Sequence, residues 1–194
     1  MDKVVVVGGS GFIGSHVADE LIDNGFQVTV FDQNPSKWIQ KSQEMFVGDM
    51  LDSSSLVEAF SGARYVYHFG GIADIGEADA RPIEAIELNV LGAAKAAEAA
   101  VAVGVDRFLY ASTMYVYSTS GSFYRATKQA AETIIEAYAG DDNFSYTFLR
   151  FGSLYGPRAQ KWNGIHQYIE QVVVEGRLDY RGTGDERREY IHVR

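Results

Sequence analysis

The sequence predicts an α/β chain built as one doubly wound parallel sheet with helices on both faces. Three observations predict it. The run Val4-Val5-Val6-Val7 passes directly into Gly8-Gly9-Ser10-Gly11 and then into an apolar-periodic segment, which reads as strand, tight turn and helix. A second apolar run, Val28–Phe31, ends in Asp32. Strand-like and helix-like patterns then alternate as far as Phe151, the signature of a parallel sheet wrapped by crossover helices.

Each element has its own signal. Ile13 to Asn24 carries Ile13, Val17, Leu21 and Ile22 on one helical stripe, and Asn24-Gly25 ends it. Pro35 to Gln43 is polar and irregular, with a hint of a helical turn at Trp38 and Ile39. Glu44–Val47 reads as a short third strand, closed by Gly48-Asp49-Met50. Asp52 before three serines is a helix start for Leu56–Phe60. Arg64–Phe69 is a fourth strand running into Gly70-Gly71. Pro82 opens one long helix through Ile83, Ile86, Leu88, Val90 and Leu91 and an alanine-rich stretch to Val103, ended by Gly104. Arg107–Ser112 is a fifth strand, Tyr124–Tyr138 a helix and Tyr146–Phe151 a sixth strand. Past Pro157 the periodicity weakens. Gln167–Val174 reads as a helix, and Leu178–Arg181 and Tyr190–Val193 as short strands.

The glycine turn carries chemistry as well as shape. Gly9, Gly11 and Gly14 fit G-x-G-x-x-G, and Gly8, Gly11 and Gly14 fit G-x-x-G-x-x-G. Such a turn lets a pyrophosphate approach the backbone, while the N–H groups at Phe12 and Ile13 begin a helix whose positive end faces it. Asp32 stands where a carboxylate accepts from the ribose hydroxyls of a dinucleotide. Gln33 and Asn34 follow it, with no adjacent cation for a 2′-phosphate, so the site reads as one for NAD and not NADP.

Bulk properties narrow the classes. The 194 residues suit a single domain, with 46% hydrophobic and 22% charged residues as in a soluble globular protein. A formal charge of −9 disfavours a nucleic-acid partner. The absence of cysteine excludes disulfides, thiolate catalysis and cysteine metal sites. His16, His68, His166 and His192 are scattered and read as structural, so no metal is expected. No apolar run reaches membrane-span length and no signal pattern opens the chain, which makes the cytoplasm the expected compartment and a membrane partner unexpected.

Tyr124-Arg125-Ala126-Thr127-Lys128 puts a phenol and an ammonium on one helix face. A tyrosine with its usual pKa of about 10 needs roughly 4 kcal/mol of phenolate stabilisation to act as a base near neutrality. A close ammonium, a helix N-terminus and a nicotinamide cation act in that direction. Ser112 and Thr113 end the fifth strand, where parallel sheets place ligands, and a hydroxyl there can relay a proton to the tyrosine. Lys95, Glu98, Glu132 and Glu136 read as solvated helix faces.

Together these residues resemble the extended short-chain dehydrogenase/reductase family with its Rossmann fold, and within it the NAD-dependent epimerase/dehydratases acting on nucleotide sugars. The resemblance covers nearly the whole chain. Gly8, Gly11 and Gly14 match the glycine pattern. Asp49-Met50 resembles the pair at the adenine ring, Phe69-Gly70-Gly71 the cofactor-lining segment after the fourth strand, and Asn89-Val90-x-Gly92 the Asn-Val-x-Gly of the central helix. Thr113, Tyr124 and Lys128 fall at the catalytic positions, with Tyr124 and Lys128 also on the cofactor. Arg150 and Leu154-Tyr155-Gly156-Pro157 resemble the Arg-x-x-Asn-x-Tyr-Gly-Pro block, and Arg188–Val193 the segment whose arginine meets the sugar nucleotide's phosphates. The resemblance implies substrate contacts at Ser112, Ser153 and Arg188, and a homodimer through a four-helix bundle of Pro82–Val103 and Tyr124–Tyr138.

Four departures qualify it. Ser153 replaces the family's asparagine. Met114 and Tyr115 stand where dehydratases carry acids, which argues against 4,6-dehydration. The segment between Tyr117 and Tyr124 is short for a substrate loop. The chain stops at Arg194, where family members run on for about another hundred residues. The expected organisation is a single NAD-binding domain over 1–194, with residues from about 153 opening a truncated substrate-binding part. The expected activity is nucleotide-sugar epimerisation through a keto-sugar. A sugar dehydrogenase or reductase and a non-catalytic cofactor-binding module are the alternatives.

Overall fold

A computed structural model describes residues 1–140, 144–180, 182–185 and 187–194. The chain divides into two compact units, Met1–Arg150 and Phe151–Arg194.

The first unit opens with β1 (Lys3–Val7), α1 (Phe12–Asp23), β2 (Gln27–Asp32) and β3 (Gln43–Val47). It continues with α2 (Ser53–Phe60), β4 (Ala63–His68), α3 (Ile75–Ala80), α4 (Pro82–Ile86), a π-helical segment (Glu87–Gly92) and α5 (Ala93–Val103). β5 (Arg107–Thr113), a 3-10 turn (Met114–Tyr117), α6 (Ser122–Tyr138) and β6 (Tyr146–Phe151) follow. The six strands order as β3-β2-β1-β4-β5-β6, and the pairings from β3 across to β5 are parallel. This order reverses direction beside β1, so the carboxyl ends of β1, β4 and β5 share one edge with the crevice where such sheets bind ligands.

The valines of β1 divide between the faces by strand alternation. Val5 and Val7 join Phe31, Val66, Phe108 and Tyr110 under α2, α5 and α6, whereas Val4 and Val6 join Val28 and Val30 under α1. All four are buried, which is why the run is apolar throughout and not alternating. Ala93, Ala96, Ala97 and Ala100 of α5 are buried in the first layer, beside Leu56 and Phe60 of α2. The stripe of α1 differs from its apolar periodicity. Phe12, Gly14, Ser15, Ala18 and Leu21 are buried, while Ile13, Val17 and Ile22 are only partly covered. Small residues face the sheet because the glycine turn brings the start of the helix against it.

Two corrections concern the segment after β4. Residues 75–80 form α3, in a stretch to which the sequence analysis assigns no element, with Asp74 Oδ1 accepting from the Glu77 N–H at 2.8 Å. Asp74-x-x-Glu77 is the spacing of a capping box, a signal present in the sequence. The helix from Pro82 is not one α-helix, because its turn at Glu87–Gly92 widens to π geometry. Apolar periodicity runs through that turn and cannot report the widening. At Trp38 there is a turn and no helix.

The second unit holds β7 (Ser153–Tyr155), α7 (Gly164–Glu170), a π-helical segment (Gln171–Glu175) and β8 (Tyr190–His192). β7 and β8 pair in parallel, Ser153 opposite Tyr190 and Tyr155 opposite His192. The Asn163 side chain caps α7 at its start and also donates to the Leu154 carbonyl at 2.7 Å. β7 has no counterpart in the sequence prediction. The strand expected at Leu178–Arg181 is absent over Leu178–Tyr180, and Arg181 lies outside the described residues.

Candidate active site

The turn after β1 is held by hydrogen bonds from Gly8 N–H to Phe31 O at 2.9 Å and from Gly11 N–H to Gly8 O at 3.1 Å. Gly8 has φ +74°, and a Cβ on it would lie 2.6 Å from Gly70 N. A Cβ on Gly14 would lie 2.4 Å from Gly8 O. The loop therefore admits no side chain at either position. Gly11 is the N-cap of α1 and offers no side chain to its first N–H groups, which leaves them to an anion.

Asp32, ending β2, accepts from Ser10 N–H at 3.1 Å and from Asn34 N–H at 3.1 Å, one bond to each oxygen. A carboxylate offers about four acceptor sites, so both oxygens can take a further hydroxyl. Met50 packs against Gly70 and Gly92, whose missing side chains make room for its thioether, and Asp49 holds the turn through Leu51 N–H at 2.8 Å. The glycine cradle and this carboxylate fit the pyrophosphate and ribose of a dinucleotide.

Asn89, in the widened turn, is fully buried. Its side chain accepts from Ile72 N–H at 2.7 Å and donates to Ile72 O at 3.0 Å and to Thr127 Oγ at 3.1 Å. It ties the segment after Phe69-Gly70-Gly71 to α6, so the structure places it as a residue that positions the loop.

On α6, Tyr124 and Lys128 project toward the end of β5. The Thr113 hydroxyl hydrogen-bonds the Tyr124 phenol, and Thr113 Oγ accepts from Tyr115 N–H at 3.2 Å. Lys128 is buried, donates to the Ala111 carbonyl at 2.9 Å and lies 4.8 Å from the Tyr110 ring centre. Burial pushes the Lys128 pKa down to about 8, with Glu132 opposing it. Burial pushes the Tyr124 phenol up, and the Thr113 hydroxyl opposes that by donating to the phenolate. The direction at Tyr124 is the reverse of the depressed value expected from sequence, because desolvation of the phenolate outweighs its one donor.

Behind this pair lie groups that periodicity did not find. His68 is fully buried and its pKa falls to about 3, through burial first and the Lys128 charge second. Burial pushes Tyr110 up. Both are neutral near pH 7. Glu132 is buried and ion-paired with Arg150, not solvated as expected. Lys95 also departs from a solvated face, donating to the Leu51 carbonyl at 2.8 Å, while Glu98 and Glu136 are exposed. The Ser112 hydroxyl is buried and donates to Glu132 at 2.5 Å, so it is spent inside the protein and not offered to a substrate. Ser153 and Arg188 belong to the second unit, where Ser153 N–H donates to Glu189 O at 3.0 Å and Arg188 is exposed.

The chain as a whole is similar to known proteins. Residues 4–194 match the family described as the NAD dependent epimerase/dehydratase family. The UDP-glucose 4-epimerase of Erwinia amylovora is 31% identical over 236 residues, an alignment covering 98% of this chain and 70% of that protein. That of Neisseria meningitidis serogroup B is also 31% identical, over 100% of this chain and 70% of the relative. The solved structure of MoeE5 with UDP-glucose and NAD superposes at a TM-score of 0.87 with 30% identity, over 98% of this chain and 68% of that one. The UDP-glucose 4-epimerase of Thermus thermophilus, solved with NAD, gives 0.85 and 28%, over 98% and 70%.

Proposed function

The chain belongs to the NAD-dependent epimerase/dehydratase family, and from that premise we propose that it works as, or within, an NAD-dependent nucleotide-sugar epimerase. The observation that carries the reading is the hydrogen-bonded Thr113–Tyr124 pair with buried Lys128 one turn along, at the carboxyl end of β5. Gly8, Gly11, Gly14 and the N–H groups of Phe12 and Ile13 would hold the pyrophosphate, and Asp32 would take the adenosine ribose. Asp49 and Met50 would meet the adenine, and Phe69, Gly70 and Gly71 would line the cofactor crevice. Bound NAD would supply the hydride acceptor and donor that inversion at a sugar carbon requires.

Tyr124, a neutral phenol in the unliganded chain, would take the proton from a sugar hydroxyl, directly or through Thr113, only as the phenolate that the Lys128 ammonium and a bound nicotinamide cation favour. Lys128 supplies the positive charge that opposes the desolvation of the phenolate. Met114 and Tyr115 lack the acid that water elimination needs, which favours epimerisation over dehydration. Arg188 offers an exposed cation for the nucleotide's phosphates, and Ser153 a second contact. Residues 1–150 bind the cofactor, and residues from about 153 begin the substrate side. The exposed Ile83, Ile86 and Leu91 before α5, Val101 on it and Phe123 on α6 supply apolar surface for pairing two copies through these helices. Among the described residues no helix is long and apolar enough to cross a membrane. A cytoplasmic location suits a cysteine-free chain handling nucleotide sugars.

Incubation with UDP-glucose and NAD tests the reading. Appearance of the 4-epimer with no net NADH absorbance supports it. Steady accumulation of NADH supports a dehydrogenase instead, and NAD binding without conversion of any nucleotide sugar supports a binding module.

A further inference from the structure

Glu132, which periodicity assigns to solvent, is a buried charge behind the Tyr124–Lys128 pair. It lies one helical turn past Lys128 and two past Tyr124, on one face of α6. Its carboxylate is held on both oxygens. Oε1 accepts from the Ser112 hydroxyl at 2.5 Å and from Arg150 Nε at 2.9 Å, and Oε2 accepts from Arg150 Nη2 at 2.7 Å. Arg150 also bonds the Tyr117 hydroxyl, and its guanidinium lies 4.9 Å from the Tyr117 ring centre and 5.5 Å from that of Phe148. Consecutive residues ending β5 thereby grip consecutive turns of α6. The Ala111 carbonyl takes Lys128, the Ser112 hydroxyl takes Glu132 and Thr113 takes Tyr124.

We propose that Glu132, locked by Ser112 and Arg150, is a positioning residue whose fixed negative charge keeps the buried Lys128 amine an ammonium at the end of β5. The proposal rests on the epimerase reading only for the use to which the ammonium is put.

The groups around Lys128 leave Glu132 as its anionic partner. From the sheet come Tyr110 and His68, from α6 come Tyr124 and Glu132, and from β6 comes Arg150 through its bond to Glu132. Tyr110, His68 and Tyr124 are neutral near pH 7, for the burial reasons given above. A carboxylate in such low-dielectric surroundings acts strongly on a neighbouring cation, and its own burial is supported by three hydrogen bonds. Lys128 is the sensitive reporter because burial has already brought it down to about 8.

The test is direct titration of the Lys128 side chain by NMR on the full chain labelled at lysine, with the resonance assigned by its loss in Lys128→Met. Glu132→Gln is expected to lower the midpoint by at least about one pH unit, a tenfold change in the protonation constant. Glu132→Asp, which keeps the charge, is expected to return it most of the way. Should Glu132→Gln leave the Arg150 guanidinium without its carboxylate and fail to fold, Glu132→Gln/Arg150→Met removes both charges and is still expected to titrate below wild type. A Lys128 midpoint unchanged in a folded variant lacking the Glu132 carboxylate overturns the proposal. NAD binding, measured separately on the wild type, judges the epimerase reading without touching this result.

Discussion

Met1–Arg150 and Phe151–Arg194 are built on different principles. In the first unit Val4, Val5, Val6, Phe108 and Ile135 are 0% exposed, whereas no described residue of the second unit is buried and Val173 is 77% exposed. The first unit has a six-stranded sheet with an apolar layer on each face. The second pairs two three-residue strands, which cannot bury enough apolar area to be stable by themselves. The chemistry follows the same division. The groups proposed to move protons, Thr113, Tyr124 and Lys128, sit on β5 and α6 against that core, where packing positions them and charges interact strongly. The groups proposed for the sugar nucleotide, Ser153 and Arg188, sit where the chain has no core of its own.

The largest effects should separate the two units by kind. Tyr124→Phe is expected to lower kcat by about 10²–10⁴-fold while NAD affinity stays near wild type. Arg188→Ala is expected to raise KM by about 10–100-fold with little change in kcat, the loss of one charge-assisted hydrogen bond. Steady-state kinetics check both, and a kcat loss at Arg188 would break the division. In denaturant melts, Phe108→Ala should cost about 3–5 kcal/mol, the usual range for emptying a buried aromatic site. Gly14→Ala drives a methyl into the Gly8 carbonyl and is expected to weaken NAD binding at least about tenfold in calorimetry.

Acid provides a smaller handle on the first unit alone. His68 has a folded pKa of about 3 against its ordinary 6.5. Between those values the unfolded chain binds a proton that the folded chain refuses. Stability is therefore full above pH 6.5 and is lost as pH falls from 6.5 toward 3. His68→Phe is expected to flatten that slope in melts taken across the window. Val173→Ala, on the exposed face of the second unit, should change stability by no more than about 0.5 kcal/mol. A cost near that of Phe108→Ala would show that solution conditions cover this face.

Local chemistry made much of this legible. Four β-branched residues followed by glycines can hardly be anything but a buried strand entering a tight turn, and Asp32 and Asp52 announce a strand end and a helix cap. Tyr124 and Lys128 share a helix face by spacing alone. Helix α3 was equally readable from Asp74-x-x-Glu77 and was missed because its six residues carry no apolar period.

The sequence by itself determined the alternation of strands and helices from β1 to β6 apart from α3, the burial of β1, the glycine turn and the phenol–ammonium spacing, because each depends on residues a few positions apart. Only the tertiary structure decided that Glu132 is buried, that Ser112 serves it, that Asn89 clamps Ile72, and that Tyr124 is pushed toward its neutral form. Those facts depend on what β4, β5 and β6 bring against α6 from distant parts of the chain. Solvation and charge are properties of that assembled environment, which no local pattern records.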